Sequence, residues 1–130
     1  MSDAGELPAL SKTQWEIMGV IWERGECSVA DVWKVLSERR GVARNTVQTQ
    51  IVRLEEKGWL THSEGGSGFL YTPTVSREES QKFSVQQLIE TVFDSSPEGL
   101  VLTLLNGGTL SKSEAARIRQ VINNARRKKS

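Results

Sequence analysis

The chain has 130 residues, 37% hydrophobic and 25% charged, with a formal net charge of +1. This length suits one globular domain, or a small domain with an appendage, and excludes two large independent cores. No apolar stretch approaches the roughly 20 residues that span a bilayer, and residues 1–10 do not resemble a signal peptide, so we expect a cytoplasmic protein without membrane contact. One cysteine, Cys27, and one histidine, His62, exclude a disulfide or a Cys/His metal cage within one chain, and we expect no metal and no cofactor.

Charge is distributed unevenly along the chain. Residues 1–75 carry eight Lys and Arg against ten Asp and Glu, whereas residues 76–130 carry nine against six. The net charge of the front part therefore does not favour a nucleic-acid partner. The segment 39–54, however, contains no carboxylate and holds Arg39, Arg40, Arg44 and Arg53. This local excess indicates a positive patch, although a solvated charged loop explains it equally well.

Two capping patterns predict the first two helices. Ser11 with Gln14, and Ser28 with Asp31, each place a hydroxyl at the cap and a polar side chain three residues later. The helices are expected to begin at residues 12 and 29 and to end before glycines. Their hydrophobic residues recur at helical spacing and are expected to face inward, namely Trp15, Met18, Ile21 and Trp22 in the first helix and Val29, Val32, Trp33 and Leu36 in the second.

A third helix is predicted from Arg44 to Lys57, where Gly58 stops it. One side of this helix is apolar, with residues Val47, Ile51 and Leu54. The other side carries mostly short polar groups, whereas a merely solvated helix more often carries Glu and Lys. This pattern is typical of a helix that lies in a DNA groove, and the candidate DNA-contacting residues are Arg44, Asn45, Thr46, Thr49 and Arg53.

Each of these side chains has a chemistry that suits DNA. Threonine hydroxyls can bond base edges and threonine methyls can contact thymine, asparagine suits adenine, and arginine suits guanine or phosphate. Glu55 and Glu56 are expected to face away from phosphates or to orient Arg53. The alternative is structural: Asn45 and Thr46 only cap the helix, and Arg53 only pairs with a glutamate.

Beyond the third helix the pattern becomes extended. Two strands, Trp59–His62 and Phe69–Pro73, flank a turn-forming stretch from Ser63 to Gly68. Three short helices followed by a β-hairpin predict a mainly α winged helix-turn-helix domain over residues 1–75, with the hairpin as the wing.

Residues 76–130 predict a helical dimerisation domain. Helices are expected from Ser76 to about Asp94, over the apolar stretch Leu100–Leu105, and from Ser111 onward, with Pro97 at a first helical position. So short a segment rarely builds an adequate core alone, and a second copy could complete it. We therefore expect a homodimer that presents two third helices to a palindromic operator in double-stranded DNA. The candidate dimerisation residues are Val85, Leu88, Ile89, Val92, Leu100, Leu104, Ile118 and Ile122.

The sequence shows no paired nucleophile and base, no phosphate-binding loop and no set of metal ligands, so we expect that the protein is not an enzyme. Two functional classes remain open. One is a DNA-binding transcriptional repressor. The other is a winged-helix module that binds another protein through its apolar tail and has no role on DNA, an alternative that the acidic front part supports.

Several motifs resemble the penicillinase-repressor family, the BlaI/MecI group with its copper-responsive relatives. They are Glu16-Ile17-Met18 with Ile21-Trp22, Ser28 with Asp31-Val32, Thr46-Val47 with Thr49 and Arg53-Leu54, Glu56-Lys57-Gly58-Trp59-Leu60, and Tyr71-Thr72-Pro73. The resemblance covers residues 8 to 125. It implies a dimeric winged-helix repressor of TACA/TGTA-type inverted repeats in which Thr46, Thr49 and Arg53 read bases and the helices after Ser76 form the dimer interface.

The chain departs from that family in three places. The wing reads Gly66-Ser67-Gly68-Phe69 and lacks the basic residue that family wings often carry. The family's Asn-Phe cleavage site corresponds to Thr103-Leu104, which leaves open whether a sensor protease is a partner. The tail lacks the cysteine cluster of the copper-responsive members, which excludes copper sensing by that motif.

Overall fold

A computed structural model of the protein describes residues 7–66 and 68–129. Within these ranges the fold is mainly α, with six helices and one antiparallel hairpin, as the sequence predicts. In chain order the elements are α1 (Lys12–Arg24), α2 (Val29–Arg40), α3 (Arg44–Glu56), β1 (Leu60–Gly65), β2 (Gly68–Pro73), α4 (Arg77–Val92), α5 (Pro97–Asn106) and α6 (Lys112–Lys129). None of these helices is long and apolar enough to cross a membrane.

The chain forms two compact units, Met1–Ser84 and Val85–Ser130. The division falls inside α4, somewhat beyond the boundary at residues 75 and 76 that the sequence predicts for the two functional domains. The front unit therefore contains the three helices, the hairpin and the start of α4.

The predicted capping boxes begin α1 and α2. The Ser11 hydroxyl accepts a hydrogen bond of 3.2 Å from the Gln14 N–H, and the Ser11 N–H donates one of 3.0 Å to the Gln14 side chain. Ser28 and Asp31 repeat this exchange at 3.1 and 3.0 Å. Gly41 follows α2 with φ +64°, a left-handed conformation that glycine adopts without a Cβ clash. These local patterns fix the ends of the two helices that support α3.

The core of the front unit lies where α1, α2, α3 and the hairpin meet. Its fully buried side chains are Ile17, Met18, Ile21, Cys27, Val32, Leu36, Val47, Ile51 and Leu54. The prediction that Trp15, Trp22, Val29 and Trp33 face inward is only partly right, because all four are half-buried. Trp22, Val29 and Trp33 pack at the edge of this core.

Two of these tryptophans find a polar partner for the indole N–H at the edge of the core. The Trp22 N–H donates to the Val75 carbonyl at 2.9 Å, and the Trp33 N–H donates to the Val42 carbonyl at 3.1 Å. Each ring therefore covers the core and ties a neighbouring loop to it.

The hairpin is longer than the sequence predicts. Its register runs from Leu60 opposite Pro73 to Gly65 opposite Gly68, so Ser63–Gly65 belong to a strand and not to the predicted turn. Cys27 and Tyr71 form an additional bridge through two backbone hydrogen bonds of 3.0 and 2.7 Å. This bridge fastens the hairpin to the loop between α1 and α2.

The rear helices begin as the capping residues predict. The hydroxyls of Ser76 and Ser111 accept hydrogen bonds of 3.1 Å from the backbone of Glu79 and Glu114. Pro97 is the first residue of α5, which starts earlier than the apolar stretch alone indicates. Between residues 81 and 128 no described side chain is buried.

Candidate nucleic-acid interface

The α3 helix has one buried side and one exposed side. Val47, Ile51 and Leu54 are 0% exposed and anchor the helix in the core. The candidate DNA-contacting residues all lie on the solvent side and are all exposed, namely Arg44, Asn45, Thr46, Thr49 and Arg53. The predicted amphipathic arrangement is confirmed, whereas the DNA contacts themselves stay a prediction.

The beginning of α3 argues against a purely structural role for its polar residues. The N-cap is Ala43, and no side chain makes a capping hydrogen bond there. Asn45 and Thr46 lie inside the first helical turn, so the alternative that they cap the helix is wrong. The positive end of the helix dipole remains available to an anion. Arg44 stands at this end, with its guanidinium 6.0 Å from the centre of the Trp33 ring.

The glutamates near the end of α3 differ in their surroundings. Glu55 is half-buried and its carboxylate contacts the His62 ring of the wing at 2.5 Å. Arg53 forms no ion pair with any residue in the described ranges, so its guanidinium is not held by Glu55. Glu56 is exposed and lines the same surface as Arg53. The expectation that the two carboxylates face away from phosphates or orient Arg53 stays a prediction, and the structure shows only that Glu56 lies beside Arg53 without an ion pair to it.

The basic patch is smaller than the sequence suggests. Arg40 makes two hydrogen bonds to the Glu16 carboxylate, at 2.8 and 3.1 Å, and a third to the Thr13 hydroxyl at 3.0 Å. Its charge is thus matched by an acid on α1. Arg44 and Arg53 are left as the free cations of α3 within the described part of the chain.

Two shallow hollows flank the exposed side of α3. The first, which we call the Arg53 hollow, has a volume of about 350 Å³ and is lined by Asn45, Gln48, Thr49, Val52, Arg53 and Glu56. The second, the wing hollow, has a volume of about 550 Å³ and is lined by Ser28, Val29, Ala30, Arg44, Gln48, Val52, Gly68, Phe69 and Tyr71. The Arg53 hollow thus brings together three of the five predicted residues. Arg44 lines the wing hollow, and Thr46 lines neither.

Gln48 and Val52 line both hollows and so form a ridge between them. These two residues are not among the candidates predicted from the sequence. Helical spacing could have placed Gln48 beside Arg44 and Val52, because residues four apart share a face. A valine, however, is ordinarily assigned to the core, and only the structure shows that Val52 is 45% exposed.

The wing offers an aromatic rather than a basic surface. The His62 ring stacks on Phe69 with 4.2 Å between ring centres, and Phe69 is 45% exposed. Tyr71 is buried beneath them, and this burial raises the pKa of its hydroxyl. The wing therefore brings rings and a glycine-rich turn to the edge of the candidate surface.

The rear unit presents the predicted dimerisation residues at its surface. Five of the eight are exposed, namely Val85, Leu88, Val92, Ile118 and Ile122, and three are half-buried, namely Ile89, Leu100 and Leu104. So much exposed hydrophobic area is unusual in a chain that acts alone.

Comparison with known families resolves the classification. The model of the penicillinase repressor family matches residues 10–124. The chain belongs to this family. The penicillinase repressor of Bacillus licheniformis is 27% identical over 124 residues, which cover 95% of this chain and 97% of that protein. The methicillin resistance regulatory protein MecI of Staphylococcus aureus (strain N315) is 24% identical over 88% of this chain and 93% of its own. The resemblance found in the sequence is confirmed.

Several solved structures also match the chain. The DNA-binding domain of the repressor BlaI is 34% identical, covers 57% of this chain and 90% of its own, and gives a TM-score of 0.52. Monomeric BlaI of Bacillus licheniformis, solved in complex with the blaP half-operator, matches with the same identity and coverage and a TM-score of 0.50. The oxidised form of MarR from E. coli, 19% identical over 89% of this chain and 75% of its own, gives a TM-score of 0.54 and supports the winged-helix fold alone.

Proposed function

We propose that this penicillinase-repressor family member represses transcription by binding an inverted-repeat operator as a homodimer. The observation that carries the proposal is the exposed polar side of α3, set on a winged-helix unit that matches the DNA-binding domain of BlaI. BlaI has been solved on a half-operator, and here we extend that mode of binding to this chain.

In this mode α3 enters the major groove. Asn45, Thr49 and Arg53 share the Arg53 hollow and face the base edges, where asparagine suits adenine and arginine suits guanine. Arg44 and the open beginning of α3 bind a phosphate, because the helix dipole and the guanidinium both attract an anion. Thr46, which lines neither hollow, lies at this same first turn and suits a backbone contact.

Within the segment 39–54, the ion pair of Arg40 with Glu16 leaves Arg39, Arg44 and Arg53 to attract DNA. The front part of the chain is net acidic, and Arg40 is already paired with Glu16. Non-specific attraction to DNA should therefore be weak, and direct contacts to bases must supply most of the discrimination. Two copies of α3 on one operator double those contacts.

A second copy of the chain is the partner that we propose for the rear unit. Its helices expose large apolar side chains and bury none among residues 81–128. A two-fold dimer would cover this surface, because each copy offers the same patch to the other. The two α3 helices would then lie roughly 34 to 36 Å apart, one turn of DNA.

Selection from random double-stranded DNA tests the operator. The purified protein is incubated with the random pool, and bound fragments are amplified and sequenced over several rounds. We expect enrichment of one palindrome whose half-sites are about 10 base pairs apart. Failure to enrich any sequence would support the alternative, a protein-interaction module without DNA binding. A transcription assay with the selected palindrome placed over a promoter then measures repression.

Sedimentation velocity tests the dimer. Leu88→Glu and Leu104→Glu put a charge into the proposed interface and should yield monomers with weaker operator binding. Gln87→Glu adds the same charge to α4 but lies on the side away from Leu88 by helical spacing, so this variant should remain a dimer. Intact dimers in both leucine variants would refute the proposed interface.

A further inference from the structure

Val52 is an exposed apolar side chain on the mostly polar outer side of α3. It is 45% exposed on the solvent side of α3, where its neighbours in the Arg53 hollow are Asn45, Gln48, Thr49, Arg53 and Glu56. Leaving a branched hydrocarbon in water forgoes the free energy that its burial would release. Contact of Val52 with an apolar group of the bound partner would therefore add favourable free energy to binding.

We propose that Val52 determines operator specificity by contacting the 5-methyl group of a thymine in each half-site. This inference rests on the proposed function and names the base that one side chain reads. The thymine methyl is the apolar group that base edges present in the major groove, where cytosine, adenine and guanine show only donors and acceptors.

The position of Val52 on the ridge places it against bases rather than phosphates. Val52 and Gln48 line the wing hollow, and they also line the Arg53 hollow, whose residues Asn45, Thr49 and Arg53 face base edges in the proposed mode of binding. Gln48, four residues before Val52, would then face the adjacent base pair, where a carboxamide suits adenine.

Packing against the wing is the competing explanation for an apolar residue here. Phe69 and Val29 line the wing hollow together with Val52. However, Phe69 and Val52 each remain 45% exposed, and the hollow between them has a volume of about 550 Å³. These side chains therefore do not seal against each other, and the space beside Val52 is open.

A thymine-to-deoxyuridine scan on the selected operator tests the proposal. Deoxyuridine pairs like thymine but lacks the 5-methyl group, so each substitution removes one methyl and nothing else. At one thymine per half-site the wild-type protein should bind about fourfold more weakly after the substitution, the effect of exposing one methyl group. The Val52→Ala protein should bind thymine and deoxyuridine equally at that position. Alanine is the better helix former, so Val52→Ala should also fold normally, which circular dichroism checks.

Thr49→Ser distinguishes Val52 from Thr49, the other residue on this face whose methyl group could contact thymine. This change removes the threonine methyl, which could also contact thymine, and keeps the hydroxyl. We expect the Thr49→Ser protein to retain the fourfold preference for thymine at the Val52 position. Loss of that preference in Thr49→Ser, or its persistence in Val52→Ala, would overturn the inference while the repressor assignment stands. A protein that selects no sequence from random DNA would instead overturn the proposed function and this inference together.

Discussion

The Gln14 side chain donates a hydrogen bond of 3.0 Å from its Nε2 to Oε1 of Gln50 and so joins α1 to α3. Gln14 is only 4% exposed, and its own Oε1 accepts bonds from the Ser11 N–H at 3.0 Å and from the Lys57 ammonium at 2.9 Å. One carboxamide thus completes the cap of α1 and holds α3 both at its middle and at its end. This contact therefore adds to the buried side chains of α3 in holding the candidate DNA-binding helix against α1.

Gln14→Ala should lower the free energy of unfolding by about 1 to 3 kcal/mol, because it leaves three polar groups without their partner. Gln14→Glu keeps an oxygen for Ser11 and Lys57 but loses the donor to Gln50. Its free energy of unfolding should therefore fall by less than that of Gln14→Ala. Urea denaturation of both variants measures the difference. A double-mutant cycle with Gln50→Ala provides the control, and strict additivity in that cycle would contradict the coupling.

Arg53→Ala and Arg44→Ala should weaken operator binding in different ways. Arg53 shares a hollow with Asn45 and Thr49, so Arg53→Ala, like Thr49→Ala, should cost about 1 to 3 kcal/mol on the operator and relax sequence preference. Arg44 stands at the start of α3 and should contact phosphate. Its loss should weaken binding to all sequences alike and reduce the salt dependence by about one unit.

Gel shifts over a range of salt concentrations measure both effects, with thermal unfolding as the control for folding. Equal salt dependence in wild type and Arg44→Ala would contradict the phosphate contact. Unchanged operator affinity in both Arg53→Ala and Thr49→Ala would show that the Arg53 hollow is not part of the DNA-binding surface.

Glu56→Gln should strengthen binding to random DNA. Glu56 is exposed beside Arg53, and a carboxylate there repels the phosphates of a strand that approaches the hollow. Removing its charge should raise non-specific affinity about two- to fivefold at low salt. Glu90→Gln makes the same change in net charge on α4 and is the matched control, which should leave this affinity nearly unchanged. A gain of the same size in both variants would mean that overall charge, and not position, is responsible.

Local chemistry made much of the fold predictable. The boxes of Ser11 with Gln14 and Ser28 with Asp31 involve residues three apart, so the sequence itself contains both partners. The buried side of α3 was equally predictable, because helical spacing alone places Val47 on the same stripe as Ile51 and Leu54.

Contacts between distant residues were not predictable. The bridge of Cys27 with Tyr71 and the bond of Gln14 with Gln50 depend on how helices and hairpin pack, which spacing does not encode. The exposure of Val52 follows from the same packing, since Ile51 and Leu54 already fill the core next to α3. At the candidate site the sequence therefore supplied the polar residues, and the structure added the ridge between the two hollows.

The charge of Asp31 should contribute to stability only above acidic pH. The backbone N–H of Ser28 and then its hydroxyl bond this carboxylate and hold its pKa below the ordinary value of 3.8. A carboxylate with a lowered pKa in the folded state stabilises the fold above its unfolded pKa, and this contribution disappears as pH falls through the folded value. Asp31→Asn keeps an oxygen for the cap and removes the charge.

The wild type should therefore exceed Asp31→Asn by about 0.3 to 1 kcal/mol in free energy of unfolding at neutral pH, the range for an acid in a first helical turn. This difference should shrink as pH falls below about 4. Urea denaturation over a pH series measures it, and added salt should reduce it because Asp31 is near solvent. A difference that stays constant through the acidic range would show that packing, and not charge, distinguishes the two proteins.

The Cys27 thiol should be protected from reagents until the front unit opens. Its side chain is 0% exposed, and burial raises the pKa of the thiol, an effect to which the nearby Asp31 carboxylate adds. Both factors lower the reactivity, since the thiolate is the nucleophile and must be reached by the reagent. Labelling with a disulfide reagent at mildly alkaline pH should be slow in the native protein and fast in concentrated urea. At intermediate urea the labelling rate should follow the global unfolding transition, because the bridge of Cys27 with Tyr71 ties this residue to the hairpin. Rapid labelling without denaturant would instead mean that the hairpin separates from the helices while the rest of the front unit stays folded.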